Sequence, residues 1–180
     1  PASTGSSAVG RGISVDFLRF AAPRPRLLRR LDEPALRGEN WNAVVNPLFN
    51  GEGYWIAAAD ARAVDETVER FLQRAVEILH AHAEAFGSAA VEPLVETASP
   101  TLLANRFGAV PGTVVWTVLN TGSGSHEGPV LRLRHRRGTV YREAFAAVEI
   151  VPEIAKGTAV LSLSLPPGGM ACVVAAPENP

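Results

Sequence analysis

The sequence contains a single cysteine, no excess of basic residues and no long apolar run, and each of these features excludes a class of protein. Cys172 is the only cysteine among 180 residues, so the chain forms no intrachain disulfide and no thiolate metal site. It lies in an apolar run at 170–176, which predicts a buried structural thiol. A net charge of −1 provides no electrostatic basis for binding nucleic acid or an anionic membrane. Because no window of about 18 residues is apolar throughout, we predict no membrane-spanning helix.

Methionine is equally scarce, and its position bears on how the chain begins. The chain starts at Pro1 and has its only methionine at Met170, so we expect a processed chain or a piece of a larger protein. Residues 1–11 are rich in serine, glycine and alanine, and we expect a disordered linker or the remnant of a tag there. No basic segment precedes an apolar one, so no intact signal peptide is predicted and a cytoplasmic or secreted location stays open.

The first half of the chain is expected to form a βα segment over residues 12–88. Alternating residues predict strands at 13–20, 42–49 and 54–59, and a short basic helix is predicted at 26–32. A glycine-rich turn at 50–53 separates the last two of these strands. Apolar residues at three- and four-residue spacing predict a long amphipathic helix at about 61–86, capped by Asp60 and stopped by Gly87.

After Gly87 the apolar period changes from helical to alternating, which predicts an antiparallel β-sandwich at 96–177. The predicted strands cover residues 102–107, 113–120, 129–135, 139–143, 146–151, 158–165 and 170–175. The fold class is therefore predicted to be α+β. The N-terminal elements present more apolar surface than they can cover, so they either pack on the sandwich or end a larger domain.

Several short motifs together resemble a known family. They are LFNGEGYW at 48–55, ANRF at 104–107, VWTVLN at 115–120, VLRLRHRRG at 130–138 and LSLPPGG at 163–169. In this order, with a helix between the first two, they resemble the C-terminal end of glycoside-hydrolase-like proteins, in which a β-sandwich follows a (β/α)8 barrel. The resemblance implies that residues 12–88 are the last one or two βα units of such a barrel.

The resemblance also implies a site. In such barrels two carboxylates at the C-terminal ends of the strands divide the catalytic work. Glu52 is the candidate catalytic carboxylate, because its loop would follow the last barrel strand. Asn50, Tyr54 and Trp55 surround it as candidate substrate-binding residues, since an aromatic ring beside hydrogen-bonding groups suits a sugar. Trp41 is a further candidate, as the wall of a subsite.

A structural explanation of the same residues stays open. The segment 50–53 can be a plain turn, the aromatic side chains can belong to the core, and Trp41 can close the turn before its strand. Asp16 is a second candidate carboxylate, but a single aspartate near the centre of a strand can equally be a structural hydrogen-bonding group.

No motif points to a metal or a cofactor, and we predict neither. His80 and His82 stand two apart on the predicted helix, so they face different directions and cannot chelate one ion. Phosphate loops, GxSxG elbows and HExxH motifs are absent from the sequence. The basic run His135–Arg137 is predicted to be a solvated hairpin tip.

The leading hypothesis is a C-terminal fragment of a carbohydrate-active, glycoside-hydrolase-like protein, with the sandwich as an accessory domain that does not catalyse. The chain alone is then expected to be inactive. The expected partners are a carbohydrate and either the rest of the barrel or a second copy, without nucleic acid or membrane. Two alternatives stay open: a stand-alone sugar-binding module, and a structural or interaction domain with no small-molecule ligand.

Overall fold

The computed structural model describes residues 7–8, 13–23, 27–57, 64–110 and 112–178. Over these residues the chain is a mixed α+β protein whose sheets are mostly antiparallel, and they contain no barrel. None of the helices described is long and apolar enough to cross a membrane. Of the predicted linker at 1–11, only β1 (Ser7–Ala8) is described, and it pairs antiparallel with β2 (Ser14–Val15); the rest lies outside the described residues.

The segment after β2 is a helix and not the predicted strand. Asp16 accepts a hydrogen bond from the Leu18 N–H at 3.0 Å and caps α1 (Phe17–Ala21). An aspartate in extended conformation whose side chain binds the N–H two residues on is a helix start. The strand predicted at 13–20 is therefore wrong beyond Val15.

The strand predicted at 42–49 is also wrong, because this segment is helix α3 (Trp41–Phe49). The Asn40 side chain caps it by accepting from the Ala43 N–H at 3.3 Å. Its buried apolar side chains are Val44, Val45, Leu48 and Phe49. These positions fit one face of a helix as well as they fit an apolar run, which is why the local pattern misled.

The basic helix predicted at 26–32 is instead strand β3 (Leu28–Arg30) where the structure describes it. It pairs in parallel with β4 (Gly53–Trp55), so that Arg29 lies opposite Tyr54. Helices α2 (Glu33–Leu36) and α3 connect the two strands, as parallel pairing requires. The strand prediction at 54–59 is confirmed for its first two residues and wrong for the next two, while 58 and 59 lie outside the described residues.

The helix predicted at 61–86 is divided. It consists of α4 (Glu66–Ala81), the C-cap His82 and the short α5 (Ala83–Phe86), which Gly87 ends. Asp65 caps α4 by accepting from the Thr67 N–H at 2.8 Å, whereas the predicted cap Asp60 lies outside the described residues. The residues of α4 that are buried, Val68, Leu72, Ala75 and Ile78, recur on one face.

The second half of the chain consists of nine strands among the described residues: β5 (Val91–Glu92), β6 (Leu102–Phe107), β7 (Val114–Asn120), β8 (His126–Arg134), β9 (Thr139–Glu143), β10 (Val148–Ile150), β11 (Glu153–Ala155), β12 (Thr158–Leu165) and β13 (Met170–Pro177). They form a six-stranded sheet in the order β10-β9-β13-β7-β6-β5 and a three-stranded sheet in the order β11-β12-β8. Every pairing within the two sheets is antiparallel, which confirms the predicted antiparallel pattern.

The six-stranded sheet is covered on both faces. One face meets the three-stranded sheet over a core that includes Trp116, Leu131 and Leu161. The other face meets α3, α4 and α5 over a second core that includes Phe86 and Cys172. Strand β7 is buried along its whole length for this reason, since successive side chains enter alternate cores. The predicted burial of Cys172 is confirmed.

The N-terminal helices are tied to the sheet by polar as well as apolar contacts. The Phe49 carbonyl accepts from Asn105 Nδ2 at 2.8 Å and from Thr117 Oγ1 at 2.7 Å, and both donors are fully buried. The Phe107 ring lies between Phe86, at a centroid distance of 5.0 Å, and Phe20, at 5.8 Å. Packing on the sheet, one of the two arrangements expected for the N-terminal elements, is therefore observed.

Candidate functional site

The candidate carboxylate Glu52 stands in the tight connection between α3 and β4. The expectation that its loop follows a strand is wrong, because the loop follows a helix and precedes the strand. Asn50 ends the helix, and Gly51 then turns the chain with a φ of +67°, a conformation that glycine adopts at little cost. A Cβ at position 51 would lie 2.6 Å from a carbon of the Phe107 ring. Glycine is thus required here both for the backbone turn and for the close approach of this aromatic ring.

The Glu52 side chain is buried and held by an arginine fork. Its relative exposure is 1%, against 49% for the Arg29 side chain. Arg29 Nε donates to Glu52 Oε2 at 2.8 Å, and Arg29 Nη2 donates to Oε1 at 3.1 Å. Arg29 Nη2 also donates to Asp16 Oδ2, so one guanidinium joins two carboxylates. This bidentate geometry fixes both charged groups.

Burial and the fork act in opposite directions on the acidity of Glu52. Burial raises the pKa of the Glu52 carboxyl, Arg29 lowers it by hydrogen bonding and by its charge, and Asp16 raises it again. The net effect is a raised pKa. Glu52 therefore holds its proton to a higher pH than an exposed glutamate does.

Asn50 is buried and fully used by the backbone around it. Its Nδ2 donates to the carbonyls of Ser14 and Asn46, both at 3.0 Å. Its Oδ1 accepts from the Asp16 N–H at 3.1 Å. The side chain therefore joins β2 and α1 to the end of α3.

Tyr54 is likewise directed into the protein. Its hydroxyl donates to the Val44 carbonyl at 3.1 Å and accepts from the Leu48 N–H at 3.2 Å. Burial raises the pKa of this phenol above its ordinary range. Both hydrogen bonds go to α3, so Tyr54 fastens β4 to that helix.

The two tryptophans differ in how much of the ring reaches the surface. Trp41 is half-buried and meets Phe71 edge-to-face at a centroid distance of 5.2 Å. Trp55 is 53% exposed, and the Arg30 guanidinium stands 5.5 Å from its ring centroid. Trp55 is thus the predicted substrate-binding residue with the most surface available to a ligand.

Arg19 belongs to the same region and was not singled out from the sequence. It is 2% exposed, and its guanidinium donates to the carbonyls of Gly51 at 3.3 Å, Pro23 at 3.1 Å and Phe86. Burial lowers its pKa, while the charge of Glu52 raises it. One feature of the sequence indicated its burial, because Arg19 is a lone basic residue between the apolar Leu18 and Phe20.

The structure therefore joins Glu52, Asn50 and Asp16 in one hydrogen-bonded network through Arg29 and the backbone. Trp55 is the last residue of β4, the strand that begins directly after Glu52. Trp41 lies apart from this network and packs against Phe71. In the network the carboxylates hold an arginine in place, and the catalytic role of Glu52 stays a prediction. No group of three or more His, Cys, Asp or Glu side chains within the described residues is placed to hold a metal ion.

Comparisons with known proteins agree in fold alone. No protein-family model matches the sequence, and no curated protein sequence matches it. Among solved structures, an α-amylase from Anoxybacillus matches with a TM-score of 0.59 at 16% identity, over 91% of this chain and 42% of that one. The α-amylase from Geobacillus thermoleovorans matches with a TM-score of 0.58 at 11% identity, over 86% and 40%.

An α-galactosidase is also similar in structure. The α-galactosidase I from Mortierella vinacea matches with a TM-score of 0.51 at 10% identity, over 83% of this chain and 38% of that one. The chain thus spans less than half the length of each of these three enzymes. The match shows that the chain has a fold found in glycoside hydrolases.

Proposed function

We propose that this chain is the C-terminal portion of a carbohydrate-active, glycoside-hydrolase-like protein. In this proposal the segment from β3 to β4 ends a (β/α)8 barrel, and the antiparallel sheets form an accessory domain that does not catalyse. The observation that carries the proposal is the parallel pairing of β3 with β4 through two helices. Strand, helix and parallel strand in succession are the repeating unit of such a barrel.

The exposed side chains of β3 and β4 support the presence of further strands beside them in the whole protein. Parallel strands are normally buried on both faces, because crossover helices cover them. Here all three residues of β3 are exposed, with Leu28 at 65%, and Trp55 at the end of β4 is 53% exposed. A two-stranded sheet is marginal by itself, so further parallel strands beside β3 would bury these side chains.

The structural matches support the same arrangement. The α-amylase of Anoxybacillus matches 91% of this chain, so the similarity includes most of the N-terminal segment as well as the sheets. The enzymes named above act on glycosidic bonds, and we infer a carbohydrate substrate for the whole protein. Trp55, at the C-terminal end of β4, would then lie close to the sugar, while Glu52, which precedes β4, would position that strand through its ion pair with the half-exposed Arg29.

The proposal is tested by the protein that contains this chain. We expect the coding sequence upstream of residue 1 to hold several further βα units. The longer protein should hydrolyse at least one of soluble starch, 4-nitrophenyl α-glucoside and 4-nitrophenyl α-galactoside, while residues 1–180 alone should hydrolyse none. An upstream sequence without βα units, or hydrolysis by the isolated chain, would overturn the proposal.

The role of Glu52 is tested separately, by Glu52→Gln in the longer protein. We expect a lower kcat or a higher KM for the sugar. The matched control is Glu149→Gln on β10, an exposed glutamate at the far edge of the six-stranded sheet. Kinetics unchanged by Glu52→Gln, with correct folding, would remove Glu52 from the site and leave the fold proposal standing.

An interaction domain is the second candidate, and one surface favours it. Val148, Val151 and Ile154 are 50%, 85% and 53% exposed on consecutive edge segments of the two sheets. Sedimentation of a stable monomer at high concentration would count against it. The stand-alone sugar-binding sandwich loses support, because Trp116 and Tyr141 are 8% and 2% exposed and neither displays a ring face on the outer surface of the sheets.

A further inference from the structure

A pocket lies at one end of the facing sheets, far along the chain from Glu52. It has a volume of about 320 Å³ and opens between the two sheets. Trp116, Tyr141 and Leu133 form its apolar floor, and the first two are buried members of the core between the sheets. The volume is at the lower end of the range for small-molecule sites.

The rim of this pocket is strongly basic in a chain whose net charge is −1. None of its lining residues is acidic. Four of them are arginines: Arg106, Arg134, Arg136 and Arg137. Two acidic residues come near without lining it. Glu92 pairs with Arg106 at 3.2 Å, and the Glu178 N–H donates to the Gly138 carbonyl at 2.7 Å.

In the part of the chain that the structure describes, the charges of the other three arginines are not neutralised by ion pairs. Within the described residues no carboxylate lies within ion-pair distance of Arg134, Arg136 or Arg137. Three guanidinium groups on one small rim repel one another, and an anion among them relieves that repulsion. Each guanidinium also presents a planar fork that matches a carboxylate or a phosphate.

The turn that carries two of these arginines is anchored at both ends. It is exposed, as predicted, but it is not the tip of a hairpin, because it links β8 of the three-stranded sheet to β9 of the six-stranded sheet. His135 Nδ1 and the Tyr141 hydroxyl are hydrogen-bonded at 3.2 Å, and the His135 N–H donates to the Gly157 carbonyl at 2.8 Å. The Thr139 N–H donates to the Arg136 carbonyl at 3.2 Å and closes the turn. The charged rim is therefore held over the apolar floor by contacts with both sheets.

We propose that this pocket binds a small organic anion, in which a carboxylate or phosphate group is attached to an apolar ring. The ring lies on the floor formed by Trp116, Tyr141 and Leu133, and the charged group meets the arginine rim. The site is independent of the proposed function, because none of its residues belongs to the parallel strands or to the Glu52 network.

The strand β8 supplies a matched pair of variants for the test. Arg132 and Arg134 are both exposed on this strand, but only Arg134 lines the pocket. Arg134→Gln and Arg132→Gln therefore change the net charge equally. A double variant, Arg136→Gln with Arg137→Gln, tests the turn without altering a strand.

Binding is measured by calorimetry and by tryptophan fluorescence, with naphthalene-2-carboxylate, 1-naphthyl phosphate and the neutral 2-naphthalenemethanol as probes. We expect at least one anionic probe to bind at a single site, more tightly than the neutral one and more weakly as salt is added. Arg134→Gln should weaken that binding by about fivefold, and the double variant by more, whereas Arg132→Gln should leave it unchanged.

Three results would overturn the proposal. One is no binding of either anion at millimolar concentration to the intact chain. The second is equal binding of the neutral and charged probes, which would show a pocket that does not select charge. The third is equal weakening by Arg132→Gln and Arg134→Gln, which would show a general effect of net charge. Melting curves establish that each variant is folded.

Discussion

Arg29→Met is expected to destabilise the chain mostly at neutral and alkaline pH. The substitution leaves the Glu52 carboxylate buried without the guanidinium that binds both its oxygens. Losing one partner of a fully buried pair costs about 3–5 kcal/mol, whereas a surface pair is worth under about 1 kcal/mol. Because Glu52 is 1% exposed and Arg29 is 49% exposed, we expect an intermediate loss of about 2 kcal/mol in the free energy of unfolding at high pH.

The pH dependence follows from the raised pKa of Glu52, which burial causes. A carboxyl whose pKa is higher in the folded than in the unfolded state takes up a proton on folding, so stability falls as pH rises between the two values. Arg29 lowers the pKa of Glu52, so removing it widens that interval and deepens the fall. Below the unfolded-state pKa the glutamate is neutral in both states, and the loss should shrink to about 1 kcal/mol.

The assay is urea unfolding followed by tryptophan fluorescence at about pH 4, near the ordinary pKa of glutamate, and at about pH 8, well above it. Arg29→Met, Glu52→Gln and the double variant are compared, with Arg37→Met as control, because Arg37 and Glu33 form a pair with side chains 54% and 55% exposed. The control should change stability by under about 0.5 kcal/mol at both pH values. Adding Glu52→Gln should restore about 1 kcal/mol to Arg29→Met at high pH, since it removes the unpaired charge. An equal loss at both pH values, or no rescue, would refute the reasoning.

Three further predictions concern the hydrogen bonds to the Phe49 carbonyl, the turn at Gly51 and the thiol of Cys172. Asn105→Ala and Thr117→Val should each lower the free energy of unfolding, measured in urea, by about 1 kcal/mol. The double variant should lose more than the sum of the two, because either donor alone still satisfies the Phe49 carbonyl. Strict additivity would contradict this. Gly51→Ala should lower the free energy of unfolding by about 3 kcal/mol, because its φ is +67° and the Phe107 ring lies 2.6 Å from the new Cβ. Gly124→Ala, with nothing within 4 Å of its new Cβ, should leave the free energy of unfolding almost unchanged. Equal melting temperatures of the two variants would refute this reasoning. Cys172 should not react with a disulfide reagent until urea unfolds the chain, because burial excludes the reagent and raises the pKa of the thiol; rapid labelling of the native protein would show an open sheet.

The antiparallel strands were predictable because their pattern is local. On β12, Leu161 and Leu165 are buried while Ser162 and Ser164 are exposed, as alternation along a strand produces. On α4, Glu66 and Arg70 stand four residues apart and pair at 3.8 Å. In each case the residues that decide the structure stand within a few positions of one another, so the sequence alone contains the relation.

The N-terminal segment was harder to predict because its partners are distant in the chain. Arg29 lies opposite Tyr54 only once two helices have brought β3 and β4 together, so no local pattern shows that it binds Glu52. The glycines around Glu52 marked the turn, but not the burial of its carboxylate. The capping side chains of Asp16 and Asn40 were the available signals for the two helices that were not predicted. The apolar runs that follow these caps were interpreted as strands instead.

The double hydrogen bond to the Phe49 carbonyl limits how freely the antiparallel half can be moved between proteins. A chain cut near residue 96 would lose that acceptor and the helices, leaving Asn105 and Thr117 with unsatisfied donors. It would also uncover Val115 and Cys172 on the two central strands, an apolar surface prone to self-association. A portable version for fusion or transplantation must therefore keep α3, α4 and α5, so the smallest transferable unit begins well before the first strand of the sheet.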